Sequence, residues 1–179
     1  MKGKIFIILL FSNVLLFSQS DKIEGNTHTA KIEGHRYWLG FGMNMGVASK
    51  ESKSLCGSFN VGVNYAEGKS KYEFRYSKLD VDIFLNGRNY DRYNKYALLY
   101  GRGIVRKEFY LMVSGGISLN HDVTYYKIRD DIFIWSFPME LELFWKATKY
   151  GGFGILFSVD YSPKMSIISL GGRFGFGKL

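Results

Sequence analysis

The last stretch of the chain, Ile167 to Leu179, alternates with a period of two. Ile168, Leu170, Gly172, Phe174 and Phe176 fall on one face, and Ser169, Gly171, Arg173, Gly175 and Gly177 on the other. Two is the strand period. In a soluble core, large residues would meet large residues. Here the bulky face carries two phenylalanines, while the opposite face is small or charged. That arrangement suits a strand whose apolar side meets lipid and whose polar side lines a narrow barrel interior.

The same alternation recurs upstream. Tyr37, Leu39, Phe41, Met43, Met45 and Val47 oppose Trp38, Gly40, Gly42, Asn44 and Gly46. Leu55 to Tyr65 follows after a charged turn over 49–53, and Gly68 supplies the permissive backbone of the next turn. Tyr72, Phe74 and Tyr76 then oppose Lys71, Glu73, Arg75 and Ser77. A fourth strand covers about 96–105. Arg102 is assigned inward there, which takes Tyr96, Leu98 and Tyr100 inward with it. A fifth runs from Glu108 to Leu119, with Glu108, Tyr110, Met112 and Ser114 opposite Phe109, Leu111 and Val113. Phe137 to Trp145 and Phe153 to Tyr161 complete the set, with Pro138 tolerable at a strand start.

The count is eight strands. The second, fourth and sixth connections are compact, whereas the third (78–95) and fifth (120–135) are long, polar and aromatic. Short turns on one side and long loops on the other, with an even strand number, describe an outer-membrane barrel whose N-terminus lies in the periplasm. The fold class expected is therefore all-β: an eight-stranded antiparallel up-and-down transmembrane β-barrel over 35–179.

The beginning of the chain changes the picture in one respect. Lys2 and Lys4 precede an apolar run from Ile5 to Phe17, and Ser18 and Ser20 stand two apart before Asp21. A positive start, a short apolar run and a small-x-small site make a secretory signal peptide over 1–20. Residues 21–34, holding KIEG twice, form a polar lead-in. Loss of Lys2 and Lys4 lowers the formal charge from +8 to +6. An exported basic chain meets anionic lipid and lipopolysaccharide phosphates rather than nucleic acid. Cys56 is the single cysteine, which excludes an intramolecular disulfide and any cysteine-rich metal site. The 13 Tyr, 15 Phe and 21 Gly beside only 2 Pro fit closely packed tilted strands.

Candidate chemistry lies inside the barrel. Glu73, Arg75, Arg102, Glu108, Glu140, Glu142, Asp160 and Arg173 are the inward charges under this facing. Eight strands enclose a space that side chains fill, and an unpaired buried charge costs several kcal/mol. The eight residues are therefore read as a lumen ion network, structural first and a possible binding site second. Glu140 and Glu142 share a face and could in principle do acid–base work or hold a cation, but arginines are available as their partners. His28, His35 and His121 have no metal-site spacing. Ser118, His121 and Asp122 are the only local set resembling a hydrolytic triad. No catalytic residue, metal or cofactor is assigned. Arg88, Arg92, Lys127 and Arg129, interleaved with Tyr90, Tyr93, Tyr125 and Tyr126, are candidate contacts in the two long loops.

From these alternations, the loop order and the terminal strand, the chain resembles the small outer-membrane β-barrel class of Gram-negative bacteria, similar in plan to the OmpX and OmpA membrane domains. The resemblance implies residence in the cell outer membrane among lipid and lipopolysaccharide. It also implies recognition of the last strand by the outer-membrane assembly machinery, through Phe174, Phe176 and Leu179, where members of the class usually end in an aromatic residue. A structural or loop-mediated role without catalysis is the reading, with an external ligand or protein met by loops 78–95 and 120–135. A lipid A-modifying barrel enzyme, and a soluble periplasmic barrel with its bulky face inward around an apolar ligand, are the alternatives.

Overall fold

A computed structural model of the protein describes residues 35–49, 53–81, 91–123 and 133–179. The expected signal peptide and lead-in lie outside the described residues, as do Arg88, Tyr90, Tyr125, Tyr126, Lys127 and Arg129. Eight strands follow one another: β1 His35–Ser49, β2 Lys53–Glu67, β3 Ser70–Val81, β4 Asp91–Val105, β5 Phe109–Asp122, β6 Phe133–Lys146, β7 Gly151–Tyr161 and β8 Ser166–Lys178. Each is antiparallel to its sequence neighbours, and β8 pairs with β1 from Tyr37↔Lys178 to Ser49↔Ser166, closing the barrel. Closure matters because it leaves no edge strand with unpaired backbone groups.

The two ends differ. At one end the chain turns in few residues, at Gly68–Lys69, at Arg106–Glu108 and at 147–150. Gly68 sits at φ 54, the left-handed region that a two-residue hairpin turn requires. At the other end the strands run further than the sequence pattern suggests. β3 continues through Val81, β4 starts at Asp91, β5 ends at Asp122 and β6 starts at Phe133, so the long connections shrink to 82–90 and 123–132. The physical reason is visible at the extended ends. Leu79, Val81 and Tyr93 are buried together inside the barrel, while Asp80 pairs across to Arg92 at 2.8 Å. Tyr93 therefore belongs to the interior, and Arg92 to a strand rather than a loop.

Facing follows side-chain size along most strands. Leu39, Met43, Phe59, Phe74, Leu98, Ile117, Phe137, Phe157, Leu170 and Phe174 are all exposed on the outer surface, Met43 by 70%. The soluble alternative required these residues inside, and they are outside.

Three tiers fill the interior. At the short-turn end Trp38, Ala66, Tyr110, Met112 and Phe144 form an apolar cluster, with the Tyr110 and Phe144 rings stacked at 4.9 Å. At the opposite end Ala48, Cys56, Leu79, Val81, Tyr93, Met165 and Ile167 form a second. Charged and amide side chains occupy the space between.

Candidate functional site

The middle tier is built mainly by three strands. Alternation on β3 points Lys71, Glu73 and Arg75 inward one above another, β6 contributes Glu140 and Glu142, and β8 contributes Arg173. Room for long side chains comes from glycines on β1 and β2. A Cβ on Gly40 would stand 2.8 Å from Arg173 Nη2, and one on Gly62 would stand 2.7 Å from Glu73 Oε1.

Glu73 is the hub. It accepts hydrogen bonds from Arg75 Nε at 2.6 Å and from Arg173 Nη1 at 3.1 Å, with a second, shorter contact from Arg173 Nη2. The Lys71 ammonium lies 3.1 Å from Glu73 Oε2, the oxygen that Arg173 Nη1 also reaches. Arg75 reaches onward to Glu140 in a two-pronged contact, one arm at 2.8 Å, the bidentate geometry that suits a guanidinium and a carboxylate. Glu142 is held by Lys71, by Arg173 Nη1 at 3.4 Å and by the Tyr110 hydroxyl at 3.3 Å. Asn64 takes an Arg173 N–H at 3.4 Å. Lys71, Arg75 and Arg173 thus face Glu73, Glu140 and Glu142, a neutral set in which every member is nearly inaccessible to solvent. Balance is what makes such burial tolerable, since one uncompensated ion here would cost several kcal/mol.

A separate pair, Lys95 with Asp160, sits further toward the long-connection end. Hydroxyls and amides bridge neighbouring strands beside it: Ser118 to Ser136 at 2.6 Å, Asn120 Nδ2 to Ser136 at 2.8 Å and Ser158 to Ser169 at 2.7 Å.

Of the eight inward charges expected from sequence, the structure brings Glu73, Arg75, Glu140, Glu142 and Arg173 into one network and places Asp160 in the Lys95 pair. Two assignments are corrected. Arg102 shares its face with Tyr96, Leu98 and Tyr100, and that face is outward. The inward face of β4 carries Tyr93, Lys95, Ala97, Leu99 and Gly101, and the bulkier Tyr96, Leu98 and Tyr100 take the outer side. Glu108 is exposed in the turn before β5, where its carbonyl accepts the Lys146 N–H at 2.7 Å; β5 begins at Phe109, one residue later than the alternation predicts. Two further cations join the inward charges: Lys71, from the charged face of β3, and Lys95, which the sequence pattern places in the third connection and the structure places in β4.

The terminal-strand residues divide. Phe174 and Phe176 point outward, 58% and 59% exposed. Leu179 follows the last strand residue and packs against the apolar cluster at the short-turn end, so it does not continue the outer aromatic row. The hydrolytic set also comes apart. Ser118 is inside and bonded to Ser136, whereas the His121 ring stacks on Phe133, an outer-face residue, at 4.8 Å. No group of three or more metal-binding side chains is assembled among the described residues.

No protein-family model matches the sequence, and no curated protein matches it. Among solved structures it is similar to Neisserial surface protein A, with 10% identity and a TM-score of 0.69 over 82% of this chain and 100% of that one. This is the fold of a small outer-membrane β-barrel. The attachment invasion locus protein Ail of Yersinia pestis shares that barrel plan at 9% identity and a TM-score of 0.55, over 82% of this chain and 99% of Ail.

Proposed function

We propose that the protein is a non-catalytic outer-membrane β-barrel. In this reading the interior is a structural plug and the external connections 82–90 and 123–132 carry contacts with a ligand, a protein or lipopolysaccharide. The single observation that supports it best is the inversion of polarity: large apolar side chains cover the outside of a closed barrel whose inside holds paired ions. Contiguous apolar surface on this scale is not tolerated by a monomer in water, and strands of 11 to 15 residues reach or exceed the roughly 9–11 that a tilted strand needs to cross a bilayer. The short-turn end then faces the periplasm and the long connections face outward. Separation of Ser118 from His121 by the thickness of the barrel wall supports the non-catalytic reading.

The test is membrane fractionation with gel migration before and after boiling. The protein is expected in the outer-membrane fraction, released only by detergent, with a faster-migrating unboiled form. Extraction by salt or alkali alone would refute the membrane reading.

A further inference from the structure

On the outer surface, β2 to β5 carry side chains in rows set by the strand register. Val63, Phe74, Leu98 and Ile117 form one row. The next, one pleat nearer the short-turn end, is Tyr65, Tyr72, Tyr100 and Gly115. The three tyrosine rings touch in sequence, with centroids 6.2 and 5.2 Å apart, and then the row stops at a residue without a side chain. A Cβ on Gly115 would meet only the Pro138 carbonyl, at 3.9 Å. The result is a groove of about 520 Å3 along these two rows. The third row, Glu67, Ser70, Arg102 and Val113, is largely polar. Ser70 Oγ lies 3.3 Å from the Tyr100 hydroxyl, and the Tyr65 hydroxyl donates to Glu67 at 3.4 Å.

Beside the notch the wall itself is weaker. The β5–β6 register is unbroken in number, from Gly115↔Met139 to Ser118↔Ser136, but Gly116 and Ile117 have no ladder partner opposite Phe137 and Pro138, and proline has no N–H to give.

We infer that this groove is a site for one phospholipid of the periplasmic leaflet, its acyl chain in the Gly115 notch and its phosphate at Arg102 and the Tyr100 hydroxyl. The inference rests on the membrane reading above. Apolar, then phenolic, then polar and cationic is the order met on passing from a leaflet's hydrocarbon to its headgroups, and a guanidinium with a neighbouring hydroxyl matches a phosphodiester. A chain leaving the bilayer for the groove gains no hydrophobic energy, because lipid tails are as apolar as the side chains. Retention therefore depends on close contact in the notch and on the polar headgroup contacts.

The experiment is native mass spectrometry of the protein extracted in mild detergent and supplied with palmitoyl-oleoyl phosphatidylglycerol. Wild type is expected to retain one lipid adduct under activation that strips the others. G115F, which fills the notch, and R102E, which reverses the charge, are each expected to lower that occupancy at least five-fold, roughly the effect of 1 kcal/mol. G172F is the control, since Gly172 is an outward glycine with open space but no tyrosine row, and it is expected to keep the adduct. Equal occupancy in wild type and G115F, or no retained adduct in wild type, overturns the site. Fractionation and boiling-dependent migration of the same samples judge the membrane reading separately, so a barrel that inserts normally and holds no lipid refutes only the groove.

Discussion

Replacing Glu73 by glutamine changes the shape of the interior little and its charge decisively. Glu73 faces Arg75, Arg173 and Lys71 at once. After the substitution three buried cations share the carboxylates of Glu140 and Glu142, leaving one positive charge uncompensated among side chains cut off from water. Breaking a buried pair by removing one partner costs about 3–5 kcal/mol. The amide oxygen of glutamine still accepts a hydrogen bond, so the expected loss for E73Q lies near the lower figure, about 3 kcal/mol. R173M, which removes a cation while keeping a chain of similar length, is expected to cost a similar amount for the opposite reason. The combination E73Q/R173M restores two cations against two carboxylates. It is expected to cost less than the two single losses together, by about 1–3 kcal/mol of coupling. Urea titration of the barrel refolded in detergent micelles, followed by tryptophan fluorescence and by unboiled gel migration, measures all four corners of the cycle. A loss below about 1 kcal/mol for E73Q, or strict additivity in the double variant, would refute the view that charge balance holds this interior together.

The corrected facings carry expectations of their own. Because Arg102 and Glu108 lie outside the interior, R102Q and E108Q are each expected to shift the same unfolding free energy by less than about 1 kcal/mol, while E140Q, at the far prong of Arg75, is expected to approach the E73Q loss. A large loss in R102Q or E108Q would place those residues back inside. Cys56 is 3% exposed within the apolar cluster at the long-connection end. Its labelling by a maleimide is accordingly expected to be slower by orders of magnitude in the folded barrel than in urea; equal rates would mean that this cluster does not seal.

Sequence pattern reveals facing where charge and bulk agree. On β3, β6 and β8 charged residues alternate with aromatic or aliphatic ones, and both cues point the same way. On β4 they conflict. Its inner face carries Ala97, Leu99 and Gly101 after Lys95, and Lys95 falls at the end of the polar segment, so charge within the recognisable strand points to Arg102 while bulk points the other way. The rule of bulky-out and small-in also reverses at the short-turn end, where Trp38, Tyr110 and Phe144 are inside. A glycine on a nearby strand allows this: a Cβ on Gly175 of β8, which pairs with β1, would meet Trp38 Cδ1 at 2.8 Å and Phe144 Cζ at 2.9 Å. Such compensation is a relation between strands brought together only by closure, and no single strand announces it. Lys95 with Asp160 is illegible for the same reason. Those residues stand 65 positions apart and meet across the interior because of how the strands tilt and stagger.

The central ions arrive in three instalments along the chain. β3 supplies two cations and one anion, β6 adds two anions, and β8 brings the last cation, Arg173. A chain folded through β7 therefore holds this central set at three carboxylates against two cations, together with two unpaired strand edges. The same strand that completes the hydrogen-bonded wall also balances the central set. Closing the wall and completing the central ion set are therefore carried by one strand, β8.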